Sequence, residues 1–167
     1  MPGFELIGEE ERKEVNKLFD DGGVLFAHGF DNIRKNRYHV REFEQLFAKC
    51  IGVKYAQAVS SGTAALKIAL LALGVKPGDE VITQAFTFIA TAEAIIDIGA
   101  KPIFINIDET LNMDPNELES SINHKTAAII PVHMLGVATE QDQILSIAKK
   151  YNVPVLDDAC ESLGAEW

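Results

Sequence analysis

Two stretches of this sequence carry residue types that could together bind a charged ligand. The first is Ser60-Ser61-Gly62-Thr63-Ala64, where an apolar segment turns through small residues into an apolar helix. Backbone amides at a helix start lack partners and carry partial positive charge, so this turn suits an anionic group. Ser and Thr also cap helices that bind nothing, so a simple capped turn is the alternative.

The second stretch is Asp157-Asp158, which directly follows the apolar residues 154–156. One of these acids is expected at a semi-buried strand end, where a carboxylate is costly unless it is paired with a positive group. No Arg or Lys lies nearby in sequence, so a cationic ligand atom would be a suitable partner. The alternative is a helix-capping Asp beside a solvated one. Phe88 is a third candidate, either as a core residue or as a stacking surface for a flat ring.

The elements that must position these residues alternate between strands and helices. Continuously apolar strands that alternate with helices indicate an α/β fold in three layers, with a mainly parallel sheet covered on both faces. Ligands of such sheets bind beyond the carboxyl ends of the strands, so the loops after the strands are the places for chemistry. Strands are predicted at residues 55–59, 80–83, 102–105, 127–132 and 153–156, and helices at 9–19, 39–51, 63–73, 88–98, 115–122 and 141–151, with a loop at 22–36.

Composition narrows the classes of partner. The formal net charge is −10 and the acids are scattered, which argues against nucleic acid, because its binding rests on clustered Lys and Arg. The chain has two cysteines, Cys50 and Cys160, without a CxxC pair or a His cluster, so a metal site is not expected. Both are predicted to be small core residues in a reducing compartment. No apolar stretch reaches membrane-spanning length, and a cytoplasmic location is expected.

Five short motifs together resemble the DegT/DnrJ/EryC1/StrS family. Its members are aminotransferases of nucleotide-linked keto-sugars that depend on pyridoxal 5'-phosphate (PLP). The resemblance extends from about Val40 to Trp167 and implies the large domain of the aspartate aminotransferase type I fold. The motifs are Ser61-Gly62-Thr63-Ala64-Ala65-Leu66, Pro77-Gly78-Asp79-Glu80-Val81-Ile82, Thr87-Phe88-Ile89-Ala90-Thr91-Ala92, Pro131-Val132-His133-Met134-Leu135-Gly136 and Asp157-Asp158-Ala159-Cys160-Glu161.

The resemblance implies a role for each candidate residue. Gly62, Thr63 and Ala64 would hold the cofactor phosphate through backbone amides and the Thr63 hydroxyl. Phe88 would stack against the pyridine ring. Asp158 would pair with the protonated ring nitrogen and keep the ring able to accept electrons.

The sequence departs from the family pattern at Glu161. Family members carry Gln or His there, which hydrogen-bonds the phenolic oxygen of the cofactor. An ionised Glu cannot donate to that oxygen, so Glu161 is either protonated or the contact is lost or replaced. His133, in another motif, either lines the site or is a structural histidine.

The resemblance places the Schiff-base lysine beyond Trp167, so no catalytic residue is assigned in this chain. That lysine binds the cofactor and moves a proton between carbons, and the chain alone is not expected to be active. The expected organisation is a helix and wrapping loop at 1–38, then the amino-terminal part of the large domain at 39–167, with two strands and the small domain absent. Unpaired strand edges and bare apolar helix faces then predict a homodimer, completion by a second polypeptide, or aggregation.

The favoured function is the amino-terminal part of an aminotransferase that converts a nucleotide-linked keto-sugar to an amino-sugar, with glutamate as the amino donor usual for the family. The first alternative is a PLP-dependent sugar dehydratase of the same fold, in which His replaces the lysine. The second is a non-catalytic truncated chain or partner subunit. A nucleotide-binding Rossmann domain is disfavoured because no Gly-x-Gly-x-x-Gly follows the first strand.

Overall fold

The computed structural model describes residues 4–166. Contacts between Cα atoms divide the chain into two compact units, Met1–Ala58 and Val59–Trp167. The domain boundary expected after residue 38 stays a prediction. Among the described residues, no helix is both long and apolar enough to cross a membrane.

The first unit contains a short 3-10 helix (Phe4–Leu6) and two α-helices, α1 (Glu9–Asp20) and α2 (His39–Ile51). Both α-helices were predicted from the sequence. Gly52 ends α2 in the left-handed conformation with φ 76°, which a residue without a Cβ adopts freely. The predicted loop is held by the buried Arg34, whose guanidinium donates a hydrogen bond to the Phe26 carbonyl at 2.6 Å.

The second unit alternates helices and strands, as the sequence predicts. Up to residue 166, this unit has three strands, which are all parallel and lie in the order β2-β1-β3. The predicted fold class, α/β with a parallel sheet, is therefore confirmed. The elements are α3 (Gly62–Ala72), β1 (Glu80–Gln84), α4 (Ile89–Asp97), β2 (Lys101–Ile105), α5 (Pro115–Ser121), β3 (Thr126–Ile130) and α6 (Gln141–Tyr151).

Helices cover both faces of the sheet. Successive residues of β1 point to opposite faces, so Val81 belongs to one core with Leu70 of α3 and Ile95 of α4. Ile82 belongs to the other core, which includes Ile144 of α6. The predicted three-layer arrangement is thus confirmed, and the central strand is buried on both sides.

The prediction of a strand at residues 55–59 is wrong. None of these residues belongs to a strand, and Tyr55 is 77% exposed. The Ala58 amide donates instead to Oε1 of Glu44 at 2.8 Å. A strand forms only where a neighbouring strand takes its backbone groups, and no described strand lies beside this segment.

The strand predicted at residues 153–156 forms only in part. Two isolated parallel bridges connect this segment to the β3 side of the sheet, between Ile129 and Val155 and between Val132 and Asp158. The pairing therefore extends beyond the predicted strand as far as Asp158. This extension places the Asp158 backbone directly beside the chain that leaves β3.

The prediction that both cysteines are core residues is wrong, because Cys50 and Cys160 are exposed. Cys50 lies on an apolar stripe of α2 of which Phe43 and Leu46 are also exposed, so helical periodicity alone did not ensure burial. Cys160 lies in the turn after Asp158. Partial burial of its thiol, and then the Asp158 carboxylate, raise the pKa of Cys160 to about 11.

Candidate functional site

The candidate site lies where the parallel strands end. Because β1, β2 and β3 run in the same direction, their carboxyl ends meet at one edge of the sheet. The loop after β1 leads to Phe88 and α4, and the chain after β3 leads to His133. Asp158 lies at this edge, since its amide donates to the Pro131 carbonyl at 3.0 Å.

Asp158 is a buried carboxylate, 7% exposed, as predicted for one of the two adjacent acids. The hydroxyl of Thr91 donates to Oδ2 at 3.1 Å, and the amide of Cys160 donates to Oδ1 at 3.3 Å. Both donors are neutral. No Lys or Arg in residues 4–166 forms an ion pair with Asp158, so its charge is not neutralised by the described chain. A buried carboxylate in this state suits a cationic ligand atom.

The turn before α3 has the expected helix start. Ser61 is the N-cap, and its hydroxyl accepts a hydrogen bond from the Ala64 amide at 3.1 Å. The amides of Gly62 and Thr63 have no acceptor within the described part of the chain, so two donors remain for an anion. A Cβ at Gly62 would meet no atom within 4 Å, so the space beside this backbone is open. The Ala64 amide could serve an anion only after releasing Ser61.

Phe88 is not a core residue. It is the N-cap residue of α4, it is 69% exposed, and it belongs to neither core of the described residues. Its aromatic ring is therefore available as a flat surface on the helix that also carries Thr91. The stacking role that the resemblance implies remains a prediction.

Glu161 makes a defined contact of its own. Its Oε2 accepts a hydrogen bond from the Leu135 amide at 3.0 Å. Leu135 has a positive φ of 53°, which is unusual for a residue with a Cβ, so this contact supports a strained turn after β3. Glu161 thus braces a backbone loop, and its contact with a cofactor stays a prediction.

His133 is buried and belongs to a hydrogen-bonded group beside Asp158. Its Nδ1 accepts from the Thr139 amide at 3.0 Å, which places the proton of the neutral ring on Nε2. That Nε2 lies 3.5 Å from Oδ1 of Asp157, which also accepts from the Gln141 amide nitrogen at 2.6 Å. The hydrogen bond with His133, and then that with Gln141, lower the pKa of Asp157. The His133 amide donates to the Asp158 carbonyl at 3.1 Å, so this histidine braces the site.

Sequence reasoning missed three buried polar side chains at this edge. Gln84 ends β1, and its Oε1 accepts from the amides of Met113 at 3.0 Å and Val132 at 3.1 Å. Asn112 accepts from the Met134 amide at 2.9 Å. Thr91 contacts Asp158. The sequence signal for Gln84 was a polar residue at the end of an apolar strand, and that for Thr91 was a polar residue on the apolar face of a helix.

The structure brings the site residues together only in part. Asp158, Thr91 and the backbone of His133 are joined by hydrogen bonds, and Glu161 is tied to Leu135 in the His133 loop. Within residues 4–166, no hydrogen bond connects the 61–64 turn to Asp158. The turn at 61–64 and the carboxylate are therefore separate features of one unit.

Known proteins resemble this chain over most of its length. An aminotransferase of Pseudomonas aeruginosa, UDP-2-acetamido-2-deoxy-3-oxo-D-glucuronate aminotransferase, is 48% identical over 129 residues, which cover 77% of this chain and 36% of the relative. The crystal structure of 3-amino-5-hydroxybenzoic acid synthase superposes with a TM-score of 0.89 at 34% identity, over 99% of this chain and 41% of that one. A structure of GDP-4-keto-6-deoxymannose-3-dehydratase with a trapped PLP-glutamate geminal diamine superposes with a TM-score of 0.82 at 32% identity, over 96% and 41%.

These likenesses confirm the predicted aspartate aminotransferase type I fold. The chain spans between 36% and 41% of the length of these three relatives. The model of one family matches residues 9–167, nearly the whole chain. The chain therefore belongs to the DegT/DnrJ/EryC1/StrS aminotransferase family.

Proposed function

We propose that this chain is the amino-terminal, cofactor-binding part of a PLP-dependent aminotransferase. The complete protein would convert a nucleotide-linked keto-sugar to an amino-sugar, with glutamate as the amino donor. The observation that carries this proposal is the buried Asp158 carboxylate, which accepts only neutral donors from the described chain. When bound, PLP supplies a ring that accepts electrons while its nitrogen is protonated, and a buried carboxylate favours that protonated form.

The candidate residues of the second unit suit the parts of this cofactor. The unpaired amides of Gly62 and Thr63, with the Thr63 hydroxyl, would bind the phosphate at the start of α3. The Ala64 amide would join them if Ser61 turned away. The exposed ring of Phe88 would cover one face of the pyridine ring. Glu161 would bind near the phenolic oxygen only if it were protonated or if it acted through the Leu135 loop.

The lysine for transamination would come from further polypeptide, as the resemblance to the family implies. Two lysines of the second unit are already paired on its surface, Lys67 with Asp97 and Lys150 with Glu119. Exposed apolar residues on the helices, such as Ile68 and Leu71 of α3, support completion of the fold by further polypeptide. A homodimer and a cytoplasmic location are part of the same proposal.

A sugar dehydratase is the second candidate. The structural likeness to GDP-4-keto-6-deoxymannose-3-dehydratase favours it, because that enzyme superposes nearly as well as the synthase. Both candidates use the same cofactor, and the residues at the sheet edge do not separate them. The residue at the Schiff-base lysine position of the complete protein would distinguish the two reactions.

Equilibrium binding of pyridoxamine 5'-phosphate tests the cofactor site without a lysine, since this form of the cofactor needs no covalent link. We expect the chain to bind it, and to bind pyridoxamine, which lacks the phosphate, at least about tenfold more weakly. Asp158→Asn should weaken binding of both compounds. Asp142→Asn on the exposed start of α6 is the matched control and should leave binding unchanged. Equal binding by Asp158→Asn and the unsubstituted chain would contradict the proposal.

A further inference from the structure

Two threonine hydroxyl groups are connected to the Asp158 carboxylate: Thr91 on α4 contacts it, and Thr87 in the loop before α4 contacts Thr91. We infer that Thr87 and Thr91 are positioning residues, which form a hydroxyl relay that fixes the orientation of the Asp158 carboxylate for a cationic ligand atom. This inference rests on the proposed function for the identity of that ligand. The relay itself is a property of the unliganded chain.

The direction of the relay follows from the chemistry of its members. The Thr91 hydroxyl lies 3.1 Å from Oδ2 of Asp158 and 2.9 Å from the Thr87 hydroxyl. An ionised carboxylate only accepts, so Thr91 must donate its proton to Asp158. The Thr91 oxygen then accepts from Thr87. The Thr87 hydroxyl also lies 3.4 Å from the Phe88 carbonyl, a longer contact than the 2.9 Å to Thr91. With the Thr87 proton in the shorter contact, the two hydrogen bonds of the relay reinforce each other.

Packing of α4 favours a positioning role over simple burial. Thr91 is 1% exposed on a helix whose other buried residues are apolar, namely Ala92, Ala94 and Ile95. A buried helical threonine commonly returns its hydroxyl to a carbonyl of its own helix. Thr91 instead reaches a side chain 67 residues away in the sequence. Thr87 lies one residue before the N-cap of α4, and the extended backbone of Phe88 leaves its hydroxyl 2.9 Å from that of Thr91.

Neutral donors suit this task better than a cation would. The Thr91 hydroxyl occupies one position on Oδ2, and the Cys160 amide occupies one on Oδ1. A carboxylate has about four acceptor positions, so positions remain for a ligand. A lysine or arginine in place of Thr91 would neutralise Asp158 and compete with a cationic ligand atom. The relay therefore orients the carboxylate without using its charge.

Three substitutions separate the hydroxyl from the shape of the side chain. Thr91→Val keeps the shape and removes the hydroxyl, whereas Thr91→Ser keeps the hydroxyl and removes a methyl group. Thr87→Val removes only the outer member of the relay. Two measurements are made on the whole chain: the ¹³C signal of the Asp158 carboxyl without ligand, and the affinity for pyridoxamine 5'-phosphate.

We expect Thr91→Val to move the Asp158 carboxyl signal and to weaken binding by about tenfold, because a hydrogen bond to a charged acceptor is among the stronger ones. Thr91→Ser should stay close to the unsubstituted chain in both measurements. Thr87→Val should move the signal in the same direction by a smaller amount. In an Asp158→Asn background, Thr91→Val should change the affinity little, since the relay acts through that carboxylate.

The reverse order, with Thr91→Ser impaired and Thr91→Val normal, would show that Thr91 only fills space and would overturn the inference. An unmoved carboxyl signal in Thr91→Val would also overturn it. If Thr91→Val does not fold, Thr87→Val decides, and an unchanged signal there refutes the relay. If the unsubstituted chain does not bind pyridoxamine 5'-phosphate, the proposed function fails, while the carboxyl signal still tests the relay.

Discussion

Replacing Gln84 should destabilise the second unit more than any other single amide substitution at the sheet edge. The Gln84 side chain is fully buried and makes four hydrogen bonds to backbone groups. Gln84→Leu keeps the approximate size of the side chain and removes all four. The amides of Met113 and Val132, both in buried residues, then lose their acceptor.

The expected loss follows from those two amides. A buried donor left without an acceptor costs about 1–3 kcal/mol, so the free energy of unfolding should fall by roughly 2–6 kcal/mol. The carbonyls of Phe86 and Leu111, which accept from the Gln84 amide nitrogen, belong to exposed residues and can gain water. A typical domain has only about 5–15 kcal/mol of stability, so the effect should be large.

Urea unfolding followed by circular dichroism measures this change. Gln143→Leu on the exposed face of α6 is the matched control, and it should alter the free energy of unfolding by no more than about 0.5 kcal/mol. A loss below about 1 kcal/mol in Gln84→Leu would refute the reasoning that these hydrogen bonds hold the edge together.

Gln84→Glu provides a second test through pH. The introduced carboxyl can still accept from Met113 and Val132, but it can donate to the Phe86 carbonyl only when it is protonated. Burial should raise its pKa in the folded state above the unfolded value of about 4.3. The folded state then binds more protons, so this variant should gain stability as the pH falls from 7 toward 4.3. A variant that loses stability over that range would contradict the argument.

Two further substitutions test other parts of the second unit. The hydrogen bond with His133 lowers the pKa of Asp157 in the folded state. The ionised Asp157 side chain therefore stabilises the fold above the unfolded pKa of about 3.9. This stabilisation is lost as the pH falls through the lower pKa of the folded state. Asp157→Asn should flatten the acid limb of the stability curve in thermal unfolding, and an unchanged limb would contradict this. Gly99 has φ +79° and a Cβ there would lie 3.0 Å from the Pro77 Cβ, whereas Gly74 has φ +88° with nothing within 4 Å. Gly74→Ala should lower the free energy of unfolding by about 1 kcal/mol through its backbone conformation alone. Gly99→Ala should lower it further because of the clash with Pro77. Equal melting temperatures of the two variants would refute the clash.

The sequence predicted those features that depend on local pattern. The α-helices and sheet strands found in residues 4–166 were expected close to their observed bounds, because apolar periodicity and turn residues act within one element. The pattern also predicted that one of the acids after the apolar residues 154–156 is semi-buried, and the structure buries Asp158 while Asp157 stays exposed. Such local patterns do not determine the order of the strands in the sheet, which depends on pairing between distant segments.

The features that escaped prediction depend on distant neighbours. Residues 55–59 have the composition of a strand, but a strand also needs a partner that sequence pattern does not reveal. The role of Gln84 requires Met113 and Val132, which are 29 and 48 residues away. Thr91 had no assigned role because its acceptor, Asp158, comes from another part of the fold.

The strands of the sheet lie close together in the sequence, which sets the order in which they can pair during synthesis. The strands that the structure describes lie between Glu80 and Ile130, and the central one comes first, so both of its neighbours emerge from the ribosome after it. Each new strand can add to an edge that is already waiting, without displacing an earlier pairing. Until those neighbours emerge, both edges of β1 are unpaired, and unpaired strand edges in incompletely folded chains promote aggregation.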